Sequence, residues 1–332
     1  MGDDVGALKR AARPPAGAGL ELTLAGAAGA VVLGAAIVQS APAPMGLALP
    51  WGAIPVAWAA GLTAAGIGAR RLWIEATGAC TWGLPRYRPA DAGALPLWIG
   101  WAEGWMRAVS LEALPHLLVA GQTRAGKSSF VRQMLCGLIE WTRPAHTRIL
   151  IIDCKGGVEF SWLQQAPHVR AIACDEAAAL SLLASVEGAV EDRLDALRRA
   201  DADDAGQVPG LGRVVVVVDE LAELQDSKDA MRSLRRIAAR GGAPGVHLVL
   251  ATQRPDRDAL PGPIKANVPA SLAYRVRNRT NSEIILDKGG AEDLPPRGHA
   301  IWQWVREMRV RTPWLSREDA QARVAAEVGR RA

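Results

Sequence analysis

Residues 121–128 read Gly-Gln-Thr-Arg-Ala-Gly-Lys-Ser, between the apolar run Leu117–Ala120 and a helical pattern over Lys127–Trp141. They match GxxxxGK[ST] in full, and the strand–loop–helix context predicts a phosphate-binding loop. Glycine lets the backbone curl so that its N–H groups face phosphates, and the helix N-terminus adds a favourable dipole. ATP and Mg²⁺ are the expected cofactors, with Lys127 at the β- and γ-phosphates and Ser128 on the metal. The predicted nucleotide-binding residues are Gly121, Gln122, Thr123, Arg124, Ala125, Gly126, Lys127, Ser128 and Ser129.

Five valines at 214–218 end in Asp219 and Glu220. A run of this kind is typical of a central strand buried on both faces. Its carboxyl end should lie beside the phosphate loop, where open parallel sheets bind ligands. We expect Asp219 in the Mg²⁺ shell, directly or through water, and Glu220 as the group that polarises the attacking water. The alternative is a solvated acidic pair that merely ends a strand.

Two further strand ends carry polar residues. Thr252 and Gln253 leave a predicted strand where a γ-phosphate would lie, so either could sense hydrolysis. Asp153-Cys154-Lys155 ends another strand, for which an ordinary exposed strand end is the alternative.

Apolar runs alternate with helical patterns from residue 114 onward, which predicts an α/β domain with a central, mostly parallel sheet covered by helices. The expected strands are 117–120, 149–153, 214–219, 246–252 and 271–276, and the expected helices are 127–141, 176–200 and 227–240. An amphipathic helix over 316–332 closes the chain.

The 332-residue chain has a formal charge of +5 and four widely spaced cysteines, which fits a reducing compartment better than a disulfide scaffold or a cysteine-based zinc site. Residues 22–38 and 45–69 carry no charged side chain, and basic residues flank the pair on both outer sides. This pattern predicts two transmembrane helices with both chain ends in the cytoplasm. A cleaved signal peptide and a pair of soluble Ala/Gly-rich core helices are the alternatives.

These observations divide the chain into five predicted segments. They are a basic cytoplasmic N-terminus (1–21), a transmembrane hairpin (22–69), a short Trp-rich connector that contains β structure (70–115), an ATPase motor (116–315) and a C-terminal helix (316–332).

Several motifs resemble the FtsK/SpoIIIE-type DNA translocases, over about residues 96–304. Beside the phosphate loop, they are PHLLVAG at 115–121, IIDCK at 151–155, VDELA at 218–222, GVHLVLATQRP at 245–255, IKANVP at 264–269, YRV at 274–276 and ILDKGGAE at 285–292. This ordered set is far more specific than the phosphate loop and the acidic pair, which many NTPase families share.

The resemblance implies a RecA-like P-loop NTPase fold, a homo-hexameric ring, ATP held between subunits and DNA threaded through the ring. It also implies that Gln253 senses the γ-phosphate and that Asp287, Gly289 and Gly290 lie near a nucleotide across the subunit interface. Family members generally carry an arginine finger where the ungapped counterpart is Gly242. Arg240, two residues earlier, is the candidate here.

Candidate DNA contacts are basic. Arg275, Arg277 and Arg279 alternate and would share one face if the strand continued, and Lys265 is a further pore candidate. The alternatives are a pairing of Arg275 with a carboxylate of the nucleotide site and a solvated edge. Tryptophans 162, 302, 304 and 314 either stack on bases or pack in the core or an interface.

The leading hypothesis is a membrane-anchored, ATP-driven DNA pump of the bacterial inner membrane, with its motor in the cytoplasm. Its organisation is most similar to that of the TcpA-like coupling ATPases of conjugation, whose partners would be a relaxase or secretion-channel proteins. A chromosome-partitioning-type DNA pump and a protein-secretion ATPase are the alternatives. The sequence leaves open whether the DNA is single- or double-stranded.

Overall fold

The computed structural model describes residues 84–85, 88–89 and 93–331. The predicted N-terminus (1–21) and the two predicted membrane spans (22–69) lie outside these residues. Within the part of the chain that is described, no helix is both long and apolar enough to cross a membrane.

One ten-stranded sheet organises the described residues, in the order β2-β1-β10-β9-β8-β3-β7-β6-β4-β5. The six strands from β8 to β5 run parallel, and the four from β2 to β9 extend the sheet in antiparallel fashion. The strands are β1 (Pro96–Ala102), β2 (Trp105–Ser110), β3 (Leu117–Ala120), β4 (Thr147–Ile152), β5 (Val169–Ala173), β6 (Arg213–Val218), β7 (Val246–Thr252), β8 (Ala270–Tyr274), β9 (His299–Gln303) and β10 (Glu307–Arg311).

Six α-helices accompany the sheet in the described residues: α1 (Lys127–Trp141), α2 (Glu176–Ala200), α3 (Lys228–Arg240), α4 (Gly262–Lys265), α5 (Arg279–Leu286) and α6 (Arg317–Arg331). Short 3₁₀ turns lie at Ser161–Gln165 and Leu221–Leu224. The expected helices over 127–141 and 176–200 have these bounds, and the helix expected over 227–240 begins one residue later.

The central strands are buried on both faces, as the valine run predicts. In β6, Val215 and Val217 face one hydrophobic cluster, whereas Val214, Val216 and Val218 face the other. Helices α1 and α6 cover the first face, and α2 and α3 cover the second. Burial on both faces fixes the register of the strand, since a slip of one residue would move every side chain to the opposite face.

The antiparallel half of the sheet differs from the sequence-based expectation. Strands β1 and β2, which lie in the predicted connector, join the same sheet through the pairing of β1 with β10. Neither the hairpin of β9 and β10 nor the edge strand β5 was expected. Strand β10 has no continuous apolar run, since it reads Glu-Met-Arg-Val-Arg and buries only alternate side chains.

The predicted strand over 271–276 is wrong at its end, and so is the inference drawn from it. Strand β8 ends at Tyr274, and Asn278 caps helix α5 by accepting a hydrogen bond from the Asn281 N–H at 2.9 Å. Arg279 is therefore the first residue of a helix, and it does not share a strand face with Arg275 and Arg277.

Candidate nucleotide site

The phosphate loop is tied to two strands of the sheet. The Gly121 N–H donates to the Thr252 carbonyl at 3.1 Å, and the Gln122 N–H donates to the Arg275 carbonyl at 2.9 Å. A Cβ at Gly121 would lie 2.4 Å from Cβ of Tyr274. Gly126 has φ of +132°, and a Cβ there would lie 2.7 Å from the Tyr274 ring. Both glycines are thus required by the close packing of the loop on Tyr274.

Lys127 and Asp219 meet at the edge of the sheet, as the two motifs predict. The Lys127 ammonium donates to the Asp219 carbonyl at 2.6 Å and to its carboxylate Oδ1 at 3.0 Å. Both residues are nearly inaccessible, with exposures of 3% and 4%. A phosphate at the loop would offer Lys127 an alternative anionic partner.

Glu220 is held by three neighbours. One carboxylate oxygen accepts from the Thr252 hydroxyl at 2.7 Å and from the Gln253 N–H at 2.9 Å, and the other accepts from the Lys155 ammonium at 2.9 Å. Burial alone would raise the pKa of Glu220. The Lys127 ammonium and the three hydrogen bonds outweigh it and lower the pKa. Glu220 is therefore ionised at neutral pH, as a group that polarises water must be.

Gln253 links the acidic strand end to the phosphate loop. Its backbone N–H bonds Glu220, and its side-chain carbonyl accepts from the Thr123 hydroxyl at 2.7 Å. The structure thus brings Gln253, Glu220 and the phosphate loop together.

Lys155 and Asp153 lie beside Glu220 and Asp219, which their sequence pattern alone did not establish. Both follow β4, which pairs with β6, so their side chains reach the ends of neighbouring strands. Burial, together with the negative charge of Asp219, raises the pKa of Asp153. Oδ2 of Asp153 accepts from the Glu159 N–H at 3.1 Å, whereas its buried Oδ1 has no hydrogen-bond partner among the described residues.

The donor set fits Mg²⁺ bound together with a nucleotide. Ser128 and Asp219 offer oxygen atoms, and the buried Asp153 Oδ1 is an unsatisfied oxygen close to Asp219. Within the described residues no group of three or more His, Cys, Asp or Glu side chains could hold a metal. Mg²⁺ is commonly held by one or two protein oxygens together with phosphate oxygens, and this set matches that pattern.

Two other predicted residues have partners within this chain. The Ser129 hydroxyl accepts from the Leu315 N–H at 3.2 Å. Arg240 pairs with Glu191 of helix α2. It precedes β7 and so lies near the amino-terminal ends of the parallel strands, whereas the phosphate loop lies at their carboxyl-terminal ends. Arg240 is therefore not part of the nucleotide site of its own subunit.

The segment expected to face a neighbouring subunit is linked to a candidate DNA contact. Asp287 ends helix α5 in a left-handed conformation, with φ of +61°, and its carboxylate accepts from the Lys265 ammonium at 2.6 Å. Gly289 and Gly290 follow, and the Gly290 N–H donates to Glu292 at 2.7 Å. Among the described residues, no hydrogen bond joins Asp287, Gly289 or Gly290 to the phosphate loop of the same chain.

The candidate DNA contacts lie in different surroundings. Arg279 pairs with Glu283 at 2.8 Å, Arg277 is exposed and Arg275 is partly buried. Among the tryptophans, Trp302 is fully buried, Trp162 and Trp304 are partly buried in the core, and Trp314 is 53% exposed.

Comparisons with known proteins identify relatives of this chain. A family model described as the FtsK/SpoIIIE family matches residues 94–210. The chain is 34% identical over 232 residues to the DNA translocase SpoIIIE of Bacillus subtilis (strain 168), covering 64% of this chain and 29% of that protein. It is 36% identical over 222 residues to the DNA translocase FtsK of Corynebacterium glutamicum, covering 60% of this chain and 24% of that protein. The chain thus spans less than a third of the length of these relatives.

Two solved structures share the fold. The pCW3 conjugation coupling protein TcpA, in a monomer form with ATPγS, superposes with a TM-score of 0.65 and 26% identity, covering 75% of each chain. The cytoplasmic domain of the Thermomonospora curvata type VII secretion ATPase EccC superposes with a TM-score of 0.63 and 22% identity, covering 74% of this chain and 32% of that one. The second likeness shows the fold alone.

Proposed function

We propose that this chain, which carries an FtsK/SpoIIIE-family domain, is an ATP-driven DNA translocase that hydrolyses ATP at its phosphate loop. The observation that carries the proposal is the position of Glu220. It is an ionised carboxylate at the end of a buried strand, held by Thr252, Gln253 and Lys155, and the Lys127 ammonium lies close enough to lower its pKa.

Each residue of the site has a role in this proposal. Lys127 leaves Asp219 for the β- and γ-phosphates, and the loop N–H groups hold the phosphate oxygens. Ser128 and Asp219 would hold Mg²⁺, with Asp153 close to Asp219, and the bound ion would neutralise charge on the phosphates. Glu220 orients the attacking water and accepts its proton. Gln253 contacts both Glu220 and Thr123, so it responds to the γ-phosphate.

DNA is the proposed cargo because the relatives aligned above are named DNA translocases. A polyanion needs exposed cations that make contacts independent of base sequence. Arg277 is exposed and serves as the first candidate, whereas Lys265 and Arg279 are engaged in ion pairs with Asp287 and Glu283.

The finer role proposed is a membrane-anchored coupling protein that pumps DNA during conjugative transfer. Its support is the likeness to a conjugation coupling protein over three-quarters of both chains, together with the two uncharged stretches at 22–38 and 45–69. A homo-hexameric ring, an arginine finger at Arg240 and a nucleotide contact by residues 287–290 across the subunit interface belong to the same proposal.

An ATPase titration tests the proposal. The full chain is assayed with matched single- and double-stranded DNA, beside Lys127→Ala, Glu220→Gln and the exposed-carboxylate control Glu318→Gln. We expect stimulation by DNA in the wild type and the control, and loss of hydrolysis in the two site variants. Raising salt should weaken DNA binding by about 0.7–0.9 log units per log unit of salt for each phosphate contact. Hydrolysis at one rate with and without either DNA would refute the DNA half of the proposal.

A further inference from the structure

The two ends of the phosphate loop can be told apart. At one end the Thr123 hydroxyl bonds Gln253, whose N–H reaches Glu220. This is the γ-phosphate end, since the water-activating carboxylate lies there. At the other end, in the first turn of α1, the Ser129 hydroxyl accepts from the Leu315 N–H at 3.2 Å. The nucleoside of a bound triphosphate must leave from this second end, because the α-phosphate lies farthest from the reacting γ-phosphate.

Hydrogen bonds attach residues 312–315, the segment at the nucleoside end, to the phosphate loop and to α1. The Gly298 N–H donates to the Ala125 carbonyl at 2.8 Å, and the Thr312 N–H donates to the Gly298 carbonyl at 2.9 Å. Beyond it, Arg132 of α1 donates to the Leu315 carbonyl at 2.8 Å. The backbone of residues 312–315 is therefore held on both sides, and a side chain within it has a defined position relative to the loop.

Trp314 lies within that segment and is open to solvent. Its exposure is 53%, whereas the neighbouring Leu315 is 4% exposed and Trp302 of β9 is fully buried. Among the described residues it is the one tryptophan classed as exposed. Trp314 directly precedes Leu315, whose N–H bonds Ser129 in the first turn of α1, so a large, solvent-exposed ring is carried by the segment at the nucleoside end of the loop. Stacking of a base on an aromatic ring corresponds to about a 5- to 150-fold gain in affinity.

We infer that Trp314 forms a nucleobase site, in which its indole stacks on the base of the nucleotide held by the phosphate loop. The site takes a purine nucleoside triphosphate in preference to a pyrimidine one, since a two-ring base covers more of the indole. Stacking makes no use of the base edges, so discrimination between adenine and guanine is weak at this contact. The inference rests on the proposed function, because it requires a nucleotide at the loop.

Binding of ATP and of inorganic tripolyphosphate separates base stacking from phosphate binding. Both ligands are titrated calorimetrically, with Mg²⁺, into the full chain as wild type, Trp314→Ala and Trp314→Phe, with Val305→Ala as an exposed apolar control. We expect Trp314→Ala to weaken ATP binding by about 5- to 150-fold and to leave tripolyphosphate binding unchanged. Trp314→Phe should retain most of the ATP affinity, and Val305→Ala should behave as the wild type.

The other outcomes overturn the inference in distinguishable ways. Equal losses for ATP and tripolyphosphate would mean that Trp314 supports the shape of the loop. Unchanged ATP affinity in Trp314→Ala would mean that the indole does not contact the base. If the wild type bound neither ligand, the proposed function itself would fail. A thermal melt of each variant checks folding, and the exposure of Trp314 predicts no change.

Discussion

Replacing Thr252 by valine removes one hydroxyl from the carboxylate of Glu220 and keeps the shape of the side chain. Thr252 is fully buried, and its hydroxyl donates to Glu220 at 2.7 Å while accepting from the Arg254 N–H at 3.1 Å. Because valine occupies the same space, the expected effect comes from the lost hydrogen bonds to Glu220 and from the Arg254 N–H rather than from a cavity. Thr252→Ser is the matched control, since it keeps the hydroxyl and loses a methyl group.

The size of the effect follows from the partners that Glu220 keeps. A hydrogen bond to a charged group contributes about 1.5–3 kcal/mol. The Gln253 N–H and the Lys155 ammonium remain in the variant, so we expect the lower part of this range. A loss of about 1.5–2 kcal/mol lowers the Tm of a domain of this size by about 3–8 °C. If a similar loss falls on the orientation of Glu220 in the transition state, kcat falls by about 10-fold or more.

The pH dependence gives a second, independent signature. The pKa of Glu220 is lowered in the folded protein, and the Thr252 hydroxyl is one of the causes. The stability contributed by the ionised carboxylate is fully present above its unfolded-state pKa and is lost as pH falls through the folded-state pKa. In Thr252→Val the folded-state pKa of Glu220 rises toward the unfolded-state pKa. The carboxylate therefore loses its stabilising contribution at a higher pH than in the wild type. The acid limb of ATP hydrolysis moves to higher pH for the same reason.

Thermal denaturation followed by circular dichroism, and kcat measured across the acid range, test the reasoning. The valine variant should show a lower Tm, a lower kcat and an acid limb at higher pH, whereas the serine variant should keep the wild-type acid limb. An unchanged acid limb in Thr252→Val would refute the assignment of this hydroxyl to the Glu220 carboxylate. Equal losses in the valine and serine variants would attribute the effect to packing.

Two further predictions concern the same edge of the sheet. Lys155→Met removes the ammonium that bonds Glu220 at 2.9 Å, so kcat should fall and its acid limb should move to higher pH, with partial rescue by Lys155→Arg. A pH profile of hydrolysis measures both, and an unchanged profile would contradict it. Gly121→Ala forces a Cβ to 2.4 Å from Tyr274, and calorimetry should show loss of ATP binding with a lower Tm. The control is Gly188→Ala in α2, where a Cβ would meet no atom within 4 Å. It should stabilise the fold by about 0.5–1 kcal/mol. A Tm that falls in both variants would contradict the clash.

Local patterns predict the parts of this fold that local interactions determine. The phosphate loop needs its glycines and the helix that follows it, and both can be read from consecutive residues. The valine run needs burial on both faces, which a single strand between two layers of helices supplies. The bounds of β3, β7, α1 and α2 agree with the expectation for this reason, and so does the meeting of Lys127 with Asp219.

The remaining parts depend on neighbours that are distant in sequence. Strand β10 is amphipathic and short, and it becomes a strand because β9 and β1 supply hydrogen-bonding partners on both sides. Residues 275–279 look like a continuing strand, but Asn278 offers a helix cap and the chain turns there. The Lys155–Glu220 pair joins two strand ends separated by 65 positions, so no local pattern indicates it.

The order of the strands explains why Glu220 has the partners it has. Strand β6 lies between β7 and β4, so its carboxyl end reaches Thr252 and Gln253 on one side and Lys155 on the other. Strand β7 in turn lies between β6 and β3, which leads into the phosphate loop. Strand β7 therefore adjoins both β6 and β3, and Gln253, the residue that follows β7, contacts both Glu220 and Thr123 of the phosphate loop.

Contacts extend from Gln253 to helices α4 and α5. Beyond Gln253 the chain continues through Pro255, whose carbonyl accepts from Asn281 of α5 at 2.8 Å, and reaches α4. Lys265 at the end of α4 then pairs with Asp287 at the end of α5. These contacts connect the sensor to the segment that, in the proposed ring, faces the next nucleotide. In the proposed ring, this continuous set of contacts would carry the effect of hydrolysis at one nucleotide to the neighbouring subunit.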